Sequence, residues 1–254
     1  MSGVVVRCLP QNLIRALRAA RHVVALTGSG ISAESGVPTF REAQTGLWER
    51  YDPQDLATPE AFARDPRLVW EWYEWRRNLV VEAEPNPGHW ALAELERLVP
   101  DFFLATQNVD GLHERAGSRN VVELHGNILR SKFSLDGEIA STRERDDSVP
   151  PRCQRCGAPL RPDVVWFGEA LSPEALEAAS YAARECDLFL SVGTSSVVYP
   201  AAALPYEAIE NGATLVEINP NETPLTRHAD HYLRGPAGEV LPRLLREAFD
   251  PATG

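Results

Sequence analysis

Gly28, Gly30 and Ala33 fall at G-x-G-x-x-A spacing behind the apolar run at 22–26, which reads as a buried strand. That spacing is the phosphate turn of a dinucleotide fold. Glycine admits the positive φ of a tight turn, and a missing Cβ lets backbone N–H groups close on a pyrophosphate at a helix start. Ordinary strand-to-helix turns use the same residues. A fold of this kind ordinarily ends its second strand about 20 residues on with an acid that holds a ribose. Here the segment after Arg41 is rich in tryptophan, proline and helical periodicity, and its acids Glu49 and Asp52 stand in a turn-like context. The opening is of dinucleotide type, and the next segment is diverted to another task.

Further polar groups follow later apolar runs. Residues 106–113 read TQNVDGLH, His125 and Gly126 follow 121–124, GTSS fills 193–196 and NPN fills 219–221. Ligands of open α/β sheets bind outside the carboxyl ends of strands, so these ends together point to a cleft along one sheet edge. His125 has the chemistry of a general base, because imidazole titrates near neutral pH. A histidine at a strand end is also commonly structural, and His113 reads that way. Asp110 fits a ligand-facing carboxylate or an Asx turn before Gly111. Asn219, ahead of Pro220, fits a ligand contact at a strand end or a turn initiator. On a helix predicted over 66–83, Tyr73 and Arg76 share a face. A phenol beside a guanidinium can clamp a carboxylate, while the neighbours Trp70, Trp72, Trp75 and Arg77 fit plain packing.

Strands are predicted at 22–26, 102–106, 121–124, 187–192, 214–218 and 231–233. Helices are predicted at 11–20, 66–83, 89–98, 173–183, after 200, and at 239–249, with Thr58 capping a further one that starts at Pro59. This alternation predicts an α/β fold, a doubly wound, mostly parallel Rossmann-like sheet with a small inserted lobe. Residues 1–40, 84–126 and 164–254 are assigned to the dinucleotide-binding domain, 41–83 to a helical insertion and 127–163 to the lobe. The 254 residues are 44% hydrophobic and 24% charged, as expected of a soluble globular protein. A net charge of −11 argues against nucleic acid as the main ligand and suits a lysine-bearing partner. No apolar run approaches a membrane span. The start of the chain lacks a signal peptide's apolar region, and four cysteines do not make a secreted disulfide framework. A cytoplasmic enzyme is expected.

The motifs, taken in order, resemble the sirtuins, the NAD-dependent protein deacylases. The matches are GSGISAESGVPTFR at 28–41, TQNVDGLH at 106–113, LHG at 124–126, VVWFGE at 164–169, GTS at 193–195, and Asn219. They run through nearly the whole chain, with Thr39 standing where the family usually has Asp. The resemblance implies NAD as cofactor and acyl-lysine proteins or peptides as substrates, with no nucleic-acid or membrane partner. Nicotinamide would leave C1′ of NAD, the acyl oxygen of a modified lysine would capture that carbon, and His125 would act as base on a ribose hydroxyl. Free lysine, nicotinamide and O-acyl-ADP-ribose would result. Asn108 and Asp110 would serve the nicotinamide side. Gly28, Ser29, Gly30, Ile31, Ala33, Phe40, Arg41, Trp48, Gln107 and Val109 would line the cofactor site. Gly193, Thr194 and Ser195 would meet phosphate and ribose, and Asn219, Asn221 and Ala237 complete the implied set. A peptide would add as a strand beside Val165, Phe167, Gly168 and Glu169. Mono-ADP-ribosyl transfer and a non-catalytic NAD-sensing module are the alternative functions.

Two finer expectations follow from the same resemblance. Tyr73-x-x-Arg76 resembles the signature of sirtuins that remove succinyl, malonyl or glutaryl groups, with Ala57 leaving room for a longer chain. Most sirtuins hold a structural zinc with two C-x-x-C pairs, but only Cys153 and Cys156 are present, and Phe133 and Asp136 fall where the first pair belongs. Zinc is therefore expected to be absent, with Phe133 packing in the lobe. Cys153 and Cys156 are expected as free thiols or a disulfide, and Cys8 and Cys186 as isolated.

Overall fold

The computed structural model describes residues 9–38, 51–141 and 146–250. Cys8, Thr39, Phe40, Arg41 and Trp48 lie outside these. The chain runs α1 (Gln11–Ala19), β1 (His22–Thr27), α2 (Pro53–Leu56), α3 (Pro59–Arg64), α4 (Pro66–Glu82) and α5 (Pro87–Leu98). It continues through β2 (Asp101–Thr106), α6 (Leu112–Arg115), β3 (Val121–Glu123), β4 (Gly126–Phe133), β5 (Leu160–Val164) and α7 (Pro173–Glu185). The last elements are β6 (Leu188–Val192), α8 (Leu204–Glu210), β7 (Thr214–Asn219), β8 (His231–Arg234) and α9 (Ala237–Phe249).

Six strands form one sheet in the order β3-β2-β1-β6-β7-β8, and every neighbouring pair in it is parallel. In order of appearance within that sheet this is 3-2-1-4-5-6, the doubly wound arrangement. The strands are short apolar runs because both faces are buried. Val23, Ala25, Leu104, Leu190 and Val216 pack with Leu13, Ile14 and Leu17 of α1, Leu92 of α5 and Leu241 of α9. Val24, Leu26, Ala105, Phe189 and Leu215 face the other way, onto Ala179 and Ala183 of α7 and Leu204 of α8.

β4 and β5 pair antiparallel in a separate two-stranded sheet. Against it and α6 sits a third core, in which Phe62 of α3 and Val69, Trp72 and Tyr73 of α4 meet Leu112, Ile128 and Trp166. Phe133 packs in a satellite cluster with Trp70, Cys153 and Leu160, and Cys153, Cys156 and Cys186 are free thiols.

Two sequence expectations are corrected. The helix expected from 89 begins instead at Pro87. Proline is tolerated at the first helical position, and Asn86 caps the N-terminus by accepting from Gly88 N at 2.9 Å. The positive φ expected of the opening glycines, Gly28 and Gly30, is also absent. Gly28 is extended at φ −129°, and neither it nor Gly30 has a positive φ. The segment after β1 folds into short 3₁₀ turns, Ser29–Ile31 and Ala33–Ser35, rather than an α-helix. Glycine is needed because the ends of β1 and β6 cross almost in contact. A Cβ on Gly30 would lie 2.7 Å from Gly193 O and 2.8 Å from Gly193 Cα. The N–H groups of Gly28 and Gly30 donate to Val192 O at 3.0 Å and Gly193 O at 2.8 Å, so both serve the seam between the strands.

Candidate active site

The carboxyl ends of β1, β2, β6 and β7 are knitted together by polar side chains. Thr194 stands at the centre: its Oγ1 accepts from Gln107 Nε2 at 2.9 Å, and its carbonyl accepts from Asn219 Nδ2 at 2.8 Å. Gly193 and Ser196 beside it adopt positive φ of 59° and 55°, a left-handed conformation that costs a non-glycine residue about 1 kcal/mol or more. Asn219 Oδ1 also accepts from Asn221 N at 3.3 Å, so this residue initiates the turn as well as bridging β7 to β6. Ser195 belongs to the same loop, and Ala237 is buried at the start of α9. Next to Ala237, Gly238 N donates to Glu34 Oε2 at 2.7 Å, which fastens the turn after β1 to the start of α9.

A second polar group lies behind that turn. Ser32 Oγ donates to Asp110 Oδ2 at 2.7 Å and accepts from Asn108 Nδ2 at 3.0 Å. His89 Nε2 lies 3.3 Å from the same oxygen. The tautomer follows from the partners: His89 Nδ1 accepts from Asn86 N at 3.2 Å, so the neutral ring carries its hydrogen on Nε2 and donates to Ser32. Burial drives the His89 pKa down to about 4. Asp110 is pushed up by burial, against bonds from Leu112 N and Ser32 that favour the carboxylate. Its bond to Leu112 N, 3.0 Å, is the Asx turn that the sequence allowed for. His113 is structural, with Nε2 2.9 Å from Thr27 Oγ1 and the ring 4.9 Å from that of His89. Sequence reasoning missed Ser32, Asn86 and His89. The available signal was Asn86 three residues before His89, the spacing of a capping box.

His125 follows β3 directly. Its Nδ1 lies 2.9 Å from Gln107 O, which can only accept. The neutral ring therefore carries hydrogen on Nδ1 and a lone pair on Nε2. Burial lowers its pKa despite the bond to Gln107, a shift that favours the neutral ring. The His125 carbonyl accepts from Val165 N at 2.9 Å, and Val109 O accepts from Ile128 N at 2.8 Å. These bonds fix the histidine between the sheet and the two-stranded unit.

The segment after β5 is equally restrained. Phe167 N donates to Ala57 O at 2.9 Å while the Phe167 ring is 45% exposed, and Gly168 turns at φ 87°. The Glu169 carboxylate takes both arms of Arg161 at 2.6 and 2.7 Å and accepts from Trp166 N at 2.8 Å. Burial alone would raise its pKa, but Arg161 holds it below the usual range. Tyr73 is 2% exposed, and its hydroxyl accepts from Trp166 Nε1 at 2.9 Å. The Arg76 guanidinium carbon lies 5.4 Å from the centroid of the Trp72 ring. Burial lowers the Arg76 pKa and Tyr73 opposes that shift.

The residues at the family's metal position do not fit zinc, which takes four nitrogen, sulfur or carboxylate ligands. Phe133 cannot ligate, and Asp136 Oδ1 instead accepts from Glu138 N at 3.0 Å. Among the described residues no group of three or more His, Cys, Asp or Glu is placed to hold a metal ion.

A parallel sheet in this order, with polar strand ends gathered at the β1–β6 switch point, defines the dinucleotide-binding class of α/β protein. The chain belongs to the Sir2 family, whose profile matches residues 28–200. It is 56% identical over 236 residues to the NAD-dependent protein deacylase 2 of Pyrobaculum aerophilum, covering 93% of this chain and 94% of that one. It is 53% identical over 242 residues to the NAD-dependent protein deacylase of Methylococcus capsulatus, covering 92% and 95%. Among solved structures, a Sir2 homolog–NAD complex superposes with a TM-score of 0.88 at 48% identity, covering 95% of this chain and 94% of that one. A Sir2–p53 peptide–NAD⁺ complex superposes with a TM-score of 0.83 at 32% identity, covering 93% and 97%. Among the described residues no helix is long and apolar enough to cross a membrane.

Proposed function

We propose that this chain is an NAD-dependent protein-lysine deacylase with a preference for acidic acyl groups such as succinyl and malonyl. The observation that carries the deacylase reading is the placement of His125, whose Nδ1 lies 2.9 Å from Gln107 O and so leaves Nε2 as the base. The names of the relatives and the NAD and peptide complexes of the structural neighbours support the same cofactor and substrate class. NAD supplies a glycosidic bond whose nicotinamide can leave, opening C1′ to attack by the acyl oxygen. Asn108 and Asp110 hold the nicotinamide end, and Ser32 and His89 fix their orientation. The 193–195 loop and Asn219 hold the phosphate and adenosine portions. With NAD bound, His125 Nε2 would take the proton of a ribose hydroxyl and so activate it toward the acyl group, whose transfer would free the lysine amine.

A peptide adds along the backbone at 164–169, since the Glu169 side chain is already committed to Arg161. The hydroxyl of Tyr73 and the guanidinium of Arg76 receive the acyl carboxylate. The unit at 127–163 acts as a small lobe that needs no zinc, because Phe133 fills with apolar packing the place a ligand would take.

Turnover of acetyl-, succinyl- and malonyl-lysine peptides by wild type, His125→Asn, Tyr73→Phe and Arg76→Met tests both parts. His125→Asn is expected to cost about 10²–10⁴-fold in kcat; near-normal turnover by this variant refutes the deacylase assignment. A succinyl preference that survives both pocket substitutions refutes the acidic-acyl assignment. Nicotinamide release that does not require an acyl-lysine peptide indicates another acceptor.

A further inference from the structure

We propose that Trp166 is a specificity-determining residue: its indole N–H aims the Tyr73 hydroxyl and thereby sets discrimination in favour of a carboxylate-bearing acyl group. The inference rests on the acidic-acyl reading of Tyr73 and Arg76. The indole N–H is a donor and never an acceptor, so in the 2.9 Å contact Tyr73 Oη must accept. The phenolic hydrogen is then directed away from the indole, and only another acceptor can take it. Burial keeps the phenol protonated. The hydroxyl is thus a donor with a fixed heading, as binding a carboxylate requires, and it is orientated before any substrate arrives.

The indole is itself held from every side. The Arg161 guanidinium carbon stacks 3.4 Å from its ring centroid, and Arg161 is fixed by its two bonds to Glu169 and by donating to Val164 O at 3.0 Å. The Trp166 backbone N–H is bound by the same Glu169 carboxylate. Phe62 packs on the ring at 5.3 Å between centroids, and the whole side chain is 2% exposed. Trp166 therefore carries the register of the Arg161–Glu169 clasp across to α4. It is a positioning residue, acting through Tyr73.

Trp166→Phe keeps an aromatic ring for Arg161 to stack on and removes the N–H together with part of the buried indole. The expected result is a KM for succinyl-lysine peptide raised about tenfold, the scale of one hydrogen bond to a charged group. The KM for acetyl-lysine peptide is expected to rise by a clearly smaller factor, since an acetyl group offers no carboxylate to the phenol. In a Tyr73→Phe background, Trp166→Phe is expected to change the succinyl KM no further, a coupling that a merely structural tryptophan would not show. Arg161→Lys leaves the indole in place but loosens its hold, and is expected to raise the same KM about threefold, a partial loss of that hydrogen bond. The inference is overturned if succinyl KM is unchanged in both Trp166→Phe and Arg161→Lys, or if acetyl and succinyl KM rise by the same factor. If Tyr73→Phe and Arg76→Met leave the succinyl preference intact, the pocket assignment fails and this inference with it. If they abolish it while Trp166→Phe leaves the succinyl KM unchanged, the inference alone fails.

Discussion

Replacing Gly30 by alanine strikes the seam on which the sheet and the candidate site both depend. The added Cβ would meet Gly193 O at 2.7 Å, Gly193 Cα at 2.8 Å and Gly193 C at 3.0 Å, all backbone atoms. No side chain is there to swing aside, so the two strand ends must separate by roughly half an ångström or more to restore ordinary contact. Overpacking of this kind costs about 1–3 kcal/mol. Weakening the 2.8 Å bond from Gly30 N to Gly193 O adds about 1 kcal/mol. For a chain of this size a total of about 2–4 kcal/mol lowers Tm by roughly 4–16 °C. The Gly193 shift also displaces Thr194, so the KM for NAD is expected to rise while the circular dichroism of the folded chain persists. Gly36→Ala is the control: Gly36 has φ +78° but open space around its Cβ position, so only the backbone cost of about 1 kcal/mol applies. Differential scanning calorimetry on the two variants decides the matter. A Gly30→Ala protein that melts with wild type, or no lower than Gly36→Ala, would refute the close-approach account of this glycine.

Other perturbations have equally defined outcomes. His89 and His113 are held to pKa values of about 4 and about 3 by burial, with His89 adding to the depression of His113. Both depressed pKa values lie below the unfolded value of about 6.5. Stability is therefore full above that value and falls as pH drops toward 4, by on the order of 2 kcal/mol from each ring at pH 5. Urea unfolding at pH 7 and pH 5 measures this, and His113→Gln should flatten the dependence. The acid limb of kcat/KM should have its midpoint below the ordinary histidine value, because burial lowers the His125 pKa and only the neutral ring accepts a proton; a midpoint above that value contradicts the assignment. Phe133→Ala empties the satellite cluster of the lobe and should cost about 3–5 kcal/mol, read by thermal unfolding. A strong chelator should leave wild-type Tm unchanged, whereas a drop on metal removal, or one tightly held zinc per chain by elemental analysis, would contradict the metal-free reading of the lobe.

The strands of the large sheet were readable in the sequence because burial on both faces turns them into short apolar runs, and α1 because Leu13, Ile14 and Leu17 share one face. β4 was not readable. Its register shifts between Asn127 and Ser131, so its exposure pattern loses the two-residue alternation that marks a strand. The start of α5 was hidden by a Pro-x-Pro sequence that suggests a break, although Pro87 sits where a helix accepts it. Spacing located Gly28 and Gly30, but not their reason, which lies in a loop more than 160 residues away in the chain. The same holds for Ser32, His89 and Trp166. Each gains its meaning from a partner on another element, and no local pattern records that.

The seam between β1 and β6 joins residues 23–27 to 188–192, with β2, β3, the helices α2 to α7 and the two-stranded unit all lying between them in the chain. A chain emerging from the ribosome cannot close its central strand pair until about three quarters of its length has been made. Until then β1 has β2 on one side and an open edge on the other, a template for mispairing. Contacts of such long sequence separation form slowly. A chain that stops short of β6 holds only one half of the cleft, so the site is completed in one late step rather than accumulating along the chain.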